Sequence, residues 1–203
     1  GIYNRVIAAV PFARQQDGRI AELQALRDKL IATNEFSGEN NNKLNDICST
    51  AVATITAAKT GDEVEAVYQK AVADMAAVKI TYLFYEQAKL ISNAGLPQGS
   101  KLFVQRMNDI AALTAAIDEA IASGRLAVAG DSMTLAEALE AFQSLDVMAG
   151  YTLRLSRDDA AYTSFDGVYE IRVLLPEELW GVSGLQVAYF DAKSGIEVLD
   201  TER

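Results

Sequence analysis

The chain has 203 residues, of which 28 are acidic and 18 are basic, so its net charge is −10 at pH 7. Phosphate backbones and anionic lipid surfaces repel a chain this acidic, which argues against binding to nucleic acid and to such surfaces. No apolar run approaches the ~18–20 residues that span a bilayer, so we expect no membrane insertion. The sequence has no histidine and one cysteine, which removes the commonest general base and excludes an internal disulfide or a cysteine-based zinc site. We therefore expect a non-enzymatic protein without a cofactor.

Helical periodicity runs through the first part of the chain. Apolar residues recur at helical spacing over residues 19–33 and 44–55. The first 14 residues are also predicted to be helical, with an interruption at Pro11. Cys48 lies on the apolar stripe of the second helix, and no histidine can activate it. It is therefore predicted to be a small buried hydrophobe rather than a nucleophile.

A capping box predicts where the third helix begins. The side chains of Thr60 and Glu63 can each accept a hydrogen bond from the other's backbone N–H. Apolar and aromatic residues then step by four and three, as in a coiled-coil seam: Val64, Tyr68, Ala71, Met75, Val78, Tyr82 and Tyr85. The pattern predicts helix over residues 62–94, as one helix or as two with a break near Lys79, ended by Gly95 and Pro97.

The aromatic residues of this segment have two possible roles. Helical spacing usually places aromatics such as Tyr68, Tyr82 and Tyr85 in a core, and the alternative is a helix face that binds a partner. Phe84 lies off the seam, so we expect at least one exposed aromatic here or a contact with the β-domain.

A fourth helix is predicted over residues 101–122, with Phe103 and Met107 facing inward. Residues 125–129 read as a short extended segment. A second capping box, formed by Thr134 and Glu137, predicts a fifth helix that ends near Gln143.

From Gly150 onward the apolar residues recur with a spacing of two. Strands are predicted over residues 151–156, 168–175, 185–190 and 196–199, with a turn at 166–167 and a hairpin loop at 191–195. Helices come first and strands last, which predicts an α+β fold. We expect an N-terminal antiparallel helical bundle domain at residues 1–145, followed by a small antiparallel β-sandwich-like domain at residues 146–203.

Two stretches resemble modules of large Gram-positive cell-surface proteins. The helical hairpin around AKTGDEV, residues 58–64, resembles their helical repeat modules of the FIVAR type and the albumin-binding three-helix type. The stretches DGVYEIRVLLP, residues 166–176, and GLQVAYFDAKSGIEVL, residues 184–199, resemble the small Ig-like β-module near the C-termini of such proteins.

The resemblance implies an extracellular, cell-wall-associated location and a structural or adhesive role. It implies a protein or glycan ligand at the cell surface and no catalytic residue. Because the chain begins with Gly1 rather than Met, we expect it to be part of a larger precursor. One or two closing strands normally follow the hairpin of the β-module. We therefore expect an incomplete β-region, whose edge is covered by residues 125–129 or by another copy.

Aromatic residues of the β-region are the candidate ligand-binding residues. Exposed rings of Trp180, Tyr162, Phe165 and Tyr189 would form a platform on which a sugar or a peptide stacks. The commoner alternative is that these rings fill the core of a small sandwich. The position of Trp180 in a predicted loop supports the binding alternative.

Acidic residues are the remaining candidates for chemistry. General acid–base catalysis needs a carboxyl with a raised pKa that faces a second carboxylate in a pocket. The neighbouring pairs Glu177-Glu178, Asp158-Asp159 and Asp62-Glu63 are more typical of a solvated face. The loop around Asp191 and Ser194 lacks the acidic density of a calcium site, so a plain turn is expected there. We predict no catalytic residue and no metal ligand.

Overall fold

A computed structural model describes residues 2–86, 88–128, 136–137, 140, 147–158, 160–162, 169–183, 185, 187–191 and 195–199. Three helices come first: α1 (Ile2–Ala32), α2 (Gly38–Ala57) and α3 (Gly61–Ala77). The middle of the chain forms β1 (Ile80–Tyr85), β2 (Ala88–Leu96), β3 (Ser100–Arg106), α4 (Ile110–Ala122) and β4 (Leu126–Val128). The last elements are β5 (Tyr151–Arg157), β6 (Ala160–Ala161), β7 (Tyr169–Val173), a 3₁₀ helix (Glu177–Leu179), β8 (Val187–Asp191) and β9 (Gly195–Leu199). The predicted α+β fold is thereby confirmed.

Helices α2 and α3 begin where the sequence supplies capping groups. The Ser37 hydroxyl accepts a hydrogen bond from Asn40 N–H at the start of α2. The predicted capping box of Thr60 and Glu63 is present at the start of α3. Helix α1 runs through Pro11 without a break, so the predicted interruption is wrong. Within the described part of the chain, no helix is both long and apolar enough to cross a bilayer.

Helices α1, α2 and α3 contact one another pairwise. Their core positions follow the predicted apolar stripes, and Cys48 is buried among them as predicted. The buried side chains of these helices are Leu23, Leu44, Cys48, Ala51, Ile55, Val64, Ala71 and Met75.

The helix predicted over residues 62–94 is wrong beyond Ala77. Val78 closes α3, and residues 80–96 form the antiparallel hairpin β1–β2. β1 is rich in β-branched and aromatic residues, which suit a pleated surface better than a helix. Gly95, predicted to end the helix, instead lies inside β2 with a positive φ of 70°.

The helix predicted over residues 101–122 begins nine residues late, at Ile110. Residues Ser100–Arg106 form strand β3, and Phe103 is exposed rather than inward-facing. The Asp109 carboxylate caps α4, because its Oδ1 accepts a hydrogen bond from Ala112 N–H at 2.9 Å.

The strands predicted in the last part of the chain are confirmed at β5, β7, β8 and β9. The predicted turn at 166–167 and most of the predicted fifth helix lie outside the described residues, as does the centre of the 191–195 loop. The predicted domain boundary between residues 145 and 146 also falls beside undescribed residues and stays a prediction.

Contacts divide the chain into two compact units. The first comprises Gly1–Leu102 and Arg154–Val173, and the second comprises Phe103–Leu153 and Leu174–Arg203. The first unit contains α1–α3 and a three-stranded sheet with the order β1-β2-β7. The second contains α4 and a sheet with the order β4-β9-β8, and a third sheet has the order β3-β5-β6. β4 pairs in parallel with β9, so residues 126–128 cover one edge of β9. The sequence predicted that this edge is covered either by residues 125–129 or by another copy, and the first alternative is the one observed.

Candidate functional site

Trp180 presents its indole ring to solvent from a fixed turn. A 3₁₀ helix begins after Pro176, and Trp180 closes it by donating its backbone N–H to Glu177 O at 3.0 Å. The indole Nε1–H donates to Leu175 O at 2.8 Å. The side chain of Leu179 is buried beside it, whereas Trp180 is 59% exposed. The ring is therefore oriented by its own hydrogen bond and does not fill a core.

The other predicted aromatics are only partly brought together. Tyr189 lies on β8 in the same unit as Trp180 and is 50% exposed. Tyr162 lies in the other unit, half-buried, with its hydroxyl 2.7 Å from the Ser100 hydroxyl. Phe165 is outside the described residues. The platform of all four rings stays a prediction, and Trp180 and Tyr189 are its exposed members.

The acidic candidates occupy ordinary surface positions. Glu178 pairs with Arg106 at 2.6 Å, and its own backbone N–H and that guanidinium hold the pKa of its carboxyl below the usual range. That direction is the reverse of what a general acid requires. Glu63 is engaged in the capping box, and Asp158 is exposed while Asp159 lies outside the described part of the chain.

No cluster of three or more acidic or cysteine side chains that could hold a metal ion occurs among the residues that the structure describes. Ser194, one of the residues considered for calcium, is outside that part of the chain.

A second aromatic surface lies on the sheet β1-β2-β7; the exposed aromatic that the sequence predicts in this segment is Phe84, on a strand rather than on the predicted helix. In antiparallel pairs, residues directly opposite each other project from the same face. Tyr82 lies opposite Ile91, and Ile91 opposite Glu170; Phe84 lies opposite Lys89, and Lys89 opposite Arg172. We call these six residues the outer face: Tyr82, Phe84, Lys89, Ile91, Glu170 and Arg172.

The two faces of this sheet differ in burial. On the other face, Leu83, Ala88, Leu90 and Ser92 are buried, whereas Tyr85 is half-buried and Ile171 of β7 is 41% exposed. On the outer face, Phe84 is 51% exposed, while Tyr82, Lys89 and Ile91 are half-buried. The outer face is therefore a solvent-accessible patch on an ordered sheet.

Lys89 lies over both rings of the outer face. Its Nζ is 4.2 Å from the centre of the Tyr82 ring and 5.5 Å from the centre of the Phe84 ring. These are cation–π distances, so the ammonium group contacts both rings. Arg172, next to Lys89 across the strand pair, forms an ion pair with Glu170. The patch thus combines aromatic surface with two cations and one carboxylate.

A signal for the outer face was present in the sequence. Tyr82 and Phe84 are two residues apart, which places both on one face of a strand but not on one face of a helix. The coiled-coil spacing of Tyr82 and Tyr85 masked that alternation. Lys89 and Arg172 could not be found from sequence, because they join the aromatic pair through strand pairing between distant segments.

The chain was compared with protein-family models, with curated protein sequences and with solved structures, and nothing matches it. The resemblance to Gram-positive surface modules therefore depends on the sequence stretches quoted above.

Proposed function

We propose that the chain is a non-enzymatic structural and adhesive module of an extracellular, cell-wall-associated bacterial surface protein. The observation that carries the proposal is the presentation of aromatic rings on ordered β-elements and turns, with Phe84 on β1 and Trp180 after the 3₁₀ helix. Exposed aromatics of this kind contribute large contact area with few rotatable bonds, which suits a surface that binds a protein or a glycan. A chain without histidine supports a binding role over a catalytic one.

The proposal includes the finer architecture that the resemblance implies. Pairwise packing of α1, α2 and α3 supports a helical bundle. The antiparallel pairing of β8 with β9, in which Tyr189 lies opposite Glu197, supports an Ig-like β-region at the end of the chain. In this arrangement the module would act as a spacer that also carries a contact surface.

Antibody labelling of intact source cells, with a permeabilised control, tests the location. Labelling of intact cells is the expected result and would make glycans and proteins outside the cell the ligands to screen. Labelling that occurs after permeabilisation and not before it would overturn the proposal.

A second candidate function is carbohydrate or peptide binding at Trp180, because its indole is both exposed and held by Leu175 O. Trp180 is the sole tryptophan of the chain, so intrinsic fluorescence reports on it directly. We expect iodide to quench this fluorescence and a bound glycan or peptide to protect against quenching. Protection by no member of a glycan and peptide panel would contradict this candidate.

A further inference from the structure

We propose that the outer face of the sheet β1-β2-β7 binds a glycan that carries carboxylate groups. This inference rests on the proposed binding function and adds a second surface and a ligand class to it. Its central residues are Phe84 and Lys89, which lie opposite each other on neighbouring strands.

The charge of the patch differs from that of the chain. The chain carries −10 overall, yet the outer face has Lys89 and Arg172 against the single carboxylate of Glu170. Glu170 is paired with Arg172, and no carboxylate in the described part of the chain forms an ion pair with Lys89. The Lys89 ammonium thus contacts two rings and forms no ion pair within that part of the chain, and a carboxylate is its natural complement.

The aromatic rings select the rest of the ligand. Phe84 is 51% exposed and carries the ammonium over one side of its ring, and Tyr82 adds a second ring. The apolar face of a sugar ring stacks on such surfaces. A sugar with a carboxylate substituent can contact the ring and the ammonium together, because Lys89 Nζ lies 5.5 Å from the centre of the Phe84 ring.

Strand order favours a glycan over an extended peptide. β2 is the central strand, and it pairs with β1 on one side and with β7 on the other. An extended peptide gains most of its affinity from main-chain pairing at a free sheet edge. The main chain around Lys89 is therefore paired on both sides, so a ligand at Lys89 meets side chains, and side chains suffice for sugar recognition.

The surrounding charge also limits the affinity. Net negative charge repels an acidic ligand over distances of about one Debye length, roughly 8 Å at physiological ionic strength. We therefore expect weak binding to an oligosaccharide that carries one carboxylate.

The test uses the full chain and a panel of uronic-acid and sialic-acid oligosaccharides, each beside its carboxyl-reduced counterpart, in titration calorimetry. We expect binding to the carboxylated form and about fivefold weaker binding after Lys89→Met, which keeps the apolar stem and removes the charge. Phe84→Ala should weaken binding about tenfold. Lys101→Met and Phe103→Ala change an exposed lysine and an exposed phenylalanine of β3 and should leave binding unchanged.

Three results would overturn the inference. These are equal binding of the carboxylated and reduced sugars, equal loss in the β3 controls, and Lys89-dependent binding to an acidic peptide array with no glycan bound. The proposed function fails separately, because cell-surface labelling and protection of Trp180 do not depend on Lys89. Circular dichroism of each variant verifies that the fold is intact.

Discussion

The hydroxyl oxygens of Ser100 and Tyr162 lie 2.7 Å apart, although 62 residues separate them in the sequence. Ser100 also donates its single hydroxyl proton to Pro97 O at 2.7 Å. The Tyr162 hydroxyl is therefore the donor to Ser100, and the two bonds satisfy the buried serine. Sequence analysis proposed Tyr162 as a ligand-binding residue. Its hydroxyl instead has a structural role in the first unit, as the donor to Ser100.

Two buried serines of this unit should respond to substitution in opposite directions. Ser100 is 4% exposed and hydrogen-bonded, whereas Ser92 is 1% exposed and its Oγ has no partner among the described residues. Ser100→Ala should lower the free energy of unfolding by about 1–2 kcal/mol, because it removes the hydroxyl that bonds both Pro97 O and the Tyr162 hydroxyl. Ser92→Ala should raise it by about 1 kcal/mol, because it removes a desolvated hydroxyl. Urea denaturation measures both, and shifts of the same sign would refute the assignment.

The capping box at the start of α3 gives a second matched pair. Thr60 Oγ1 accepts from Glu63 N–H at 3.2 Å, so Thr60→Ala should lower the free energy of unfolding by about 1 kcal/mol. Thr56 is exposed and donates to Val52 O of its own helix at 2.8 Å. Thr56→Ala should therefore change stability by less than about 0.5 kcal/mol. Equal effects in thermal denaturation would show that the cap makes no special contribution.

Sequence analysis found the start of α3, the buried stripe of α2 and the last strands because those signals are local. The Thr60 capping box, the apolar stripe through Cys48 and the alternation in 169–173 each lie within one element. Asp109 was an equally local N-cap signal for α4. It was missed because Phe103, Met107 and Ile110 continue a helical spacing across it.

The secondary structure predicted for the middle of the chain was wrong for a different reason. Tyr82 and Tyr85 extend the four-three spacing of α3 into β1, so periodicity could not mark the end of the helix at Ala77. Long-range bonds decide the outcome there. Glu35 O accepts from both Thr81 N–H and Tyr82 N–H, at 2.7 and 2.8 Å, and β2 pairs with both β1 and the distant β7. Lys89 and Arg172 lie opposite each other although about 80 residues separate them in the sequence, and pairing over such a distance leaves no local sequence pattern.

An ion-pair cluster between α1 and α3 should make stability depend on pH. Arg19 contacts Glu22 at 2.6 Å and Glu65 at 2.7 Å. The Arg19 guanidinium, followed by the Tyr68 hydroxyl, lowers the pKa of the Glu22 carboxyl below its ordinary 4.5. Hydrogen bonds from Gln69 and then Arg19 lower the pKa of Glu65 in the same way. A carboxyl whose folded pKa is lowered stabilises the fold fully above the unfolded pKa, and that contribution is lost as pH falls through the folded pKa.

Arg19→Gln tests this cluster. The variant should melt at a lower temperature than the wild type at pH 7. This difference in melting temperature should become smaller as the pH falls below 4.5, because the carboxylates lose their charge. The Arg19 guanidinium also lies 4.3 Å from the centre of the Tyr68 ring. Loss of that cation–π contact lowers the melting temperature by an amount that does not change between pH 7 and pH 3. Arg14→Gln, on an exposed position of the same helix, is the control. A gap of constant size from pH 7 to pH 3 in differential scanning calorimetry would contradict the ion-pair role.

Cys48 should report on opening of the three-helix core. It is the single cysteine of the chain, it is buried, and burial raises the pKa of its thiol. Both effects keep the reactive thiolate scarce in the folded protein. Labelling with Ellman's reagent should therefore be slow without denaturant and should accelerate across the urea transition, in step with the helical signal. Native-state labelling at the rate of an exposed thiol would show that Cys48 does not belong to the core.

Gly95 and Gly18 should respond to alanine in opposite directions, because their backbones and surroundings differ. Gly95 has a φ of 70° inside β2, and an added Cβ would lie 2.8 Å from Lys79 Cβ and 3.3 Å from Ile80 O. The left-handed backbone alone costs an alanine about 1–2 kcal/mol, and the close approach adds to it. Gly18 lies inside α1 with open space around it, so Gly18→Ala should raise the free energy of unfolding by about 0.5–1 kcal/mol.

The Gly95 variant also tests whether Gly95 lies in a strand or at a helix end. If Gly95 ended a helix, as the sequence predicted, its replacement would change the helix content of the folded protein. In the observed hairpin, Gly95→Ala should instead lower the urea midpoint with the helical signal of the folded state unchanged. Loss of far-ultraviolet helical signal in folded Gly95→Ala would therefore contradict the strand assignment.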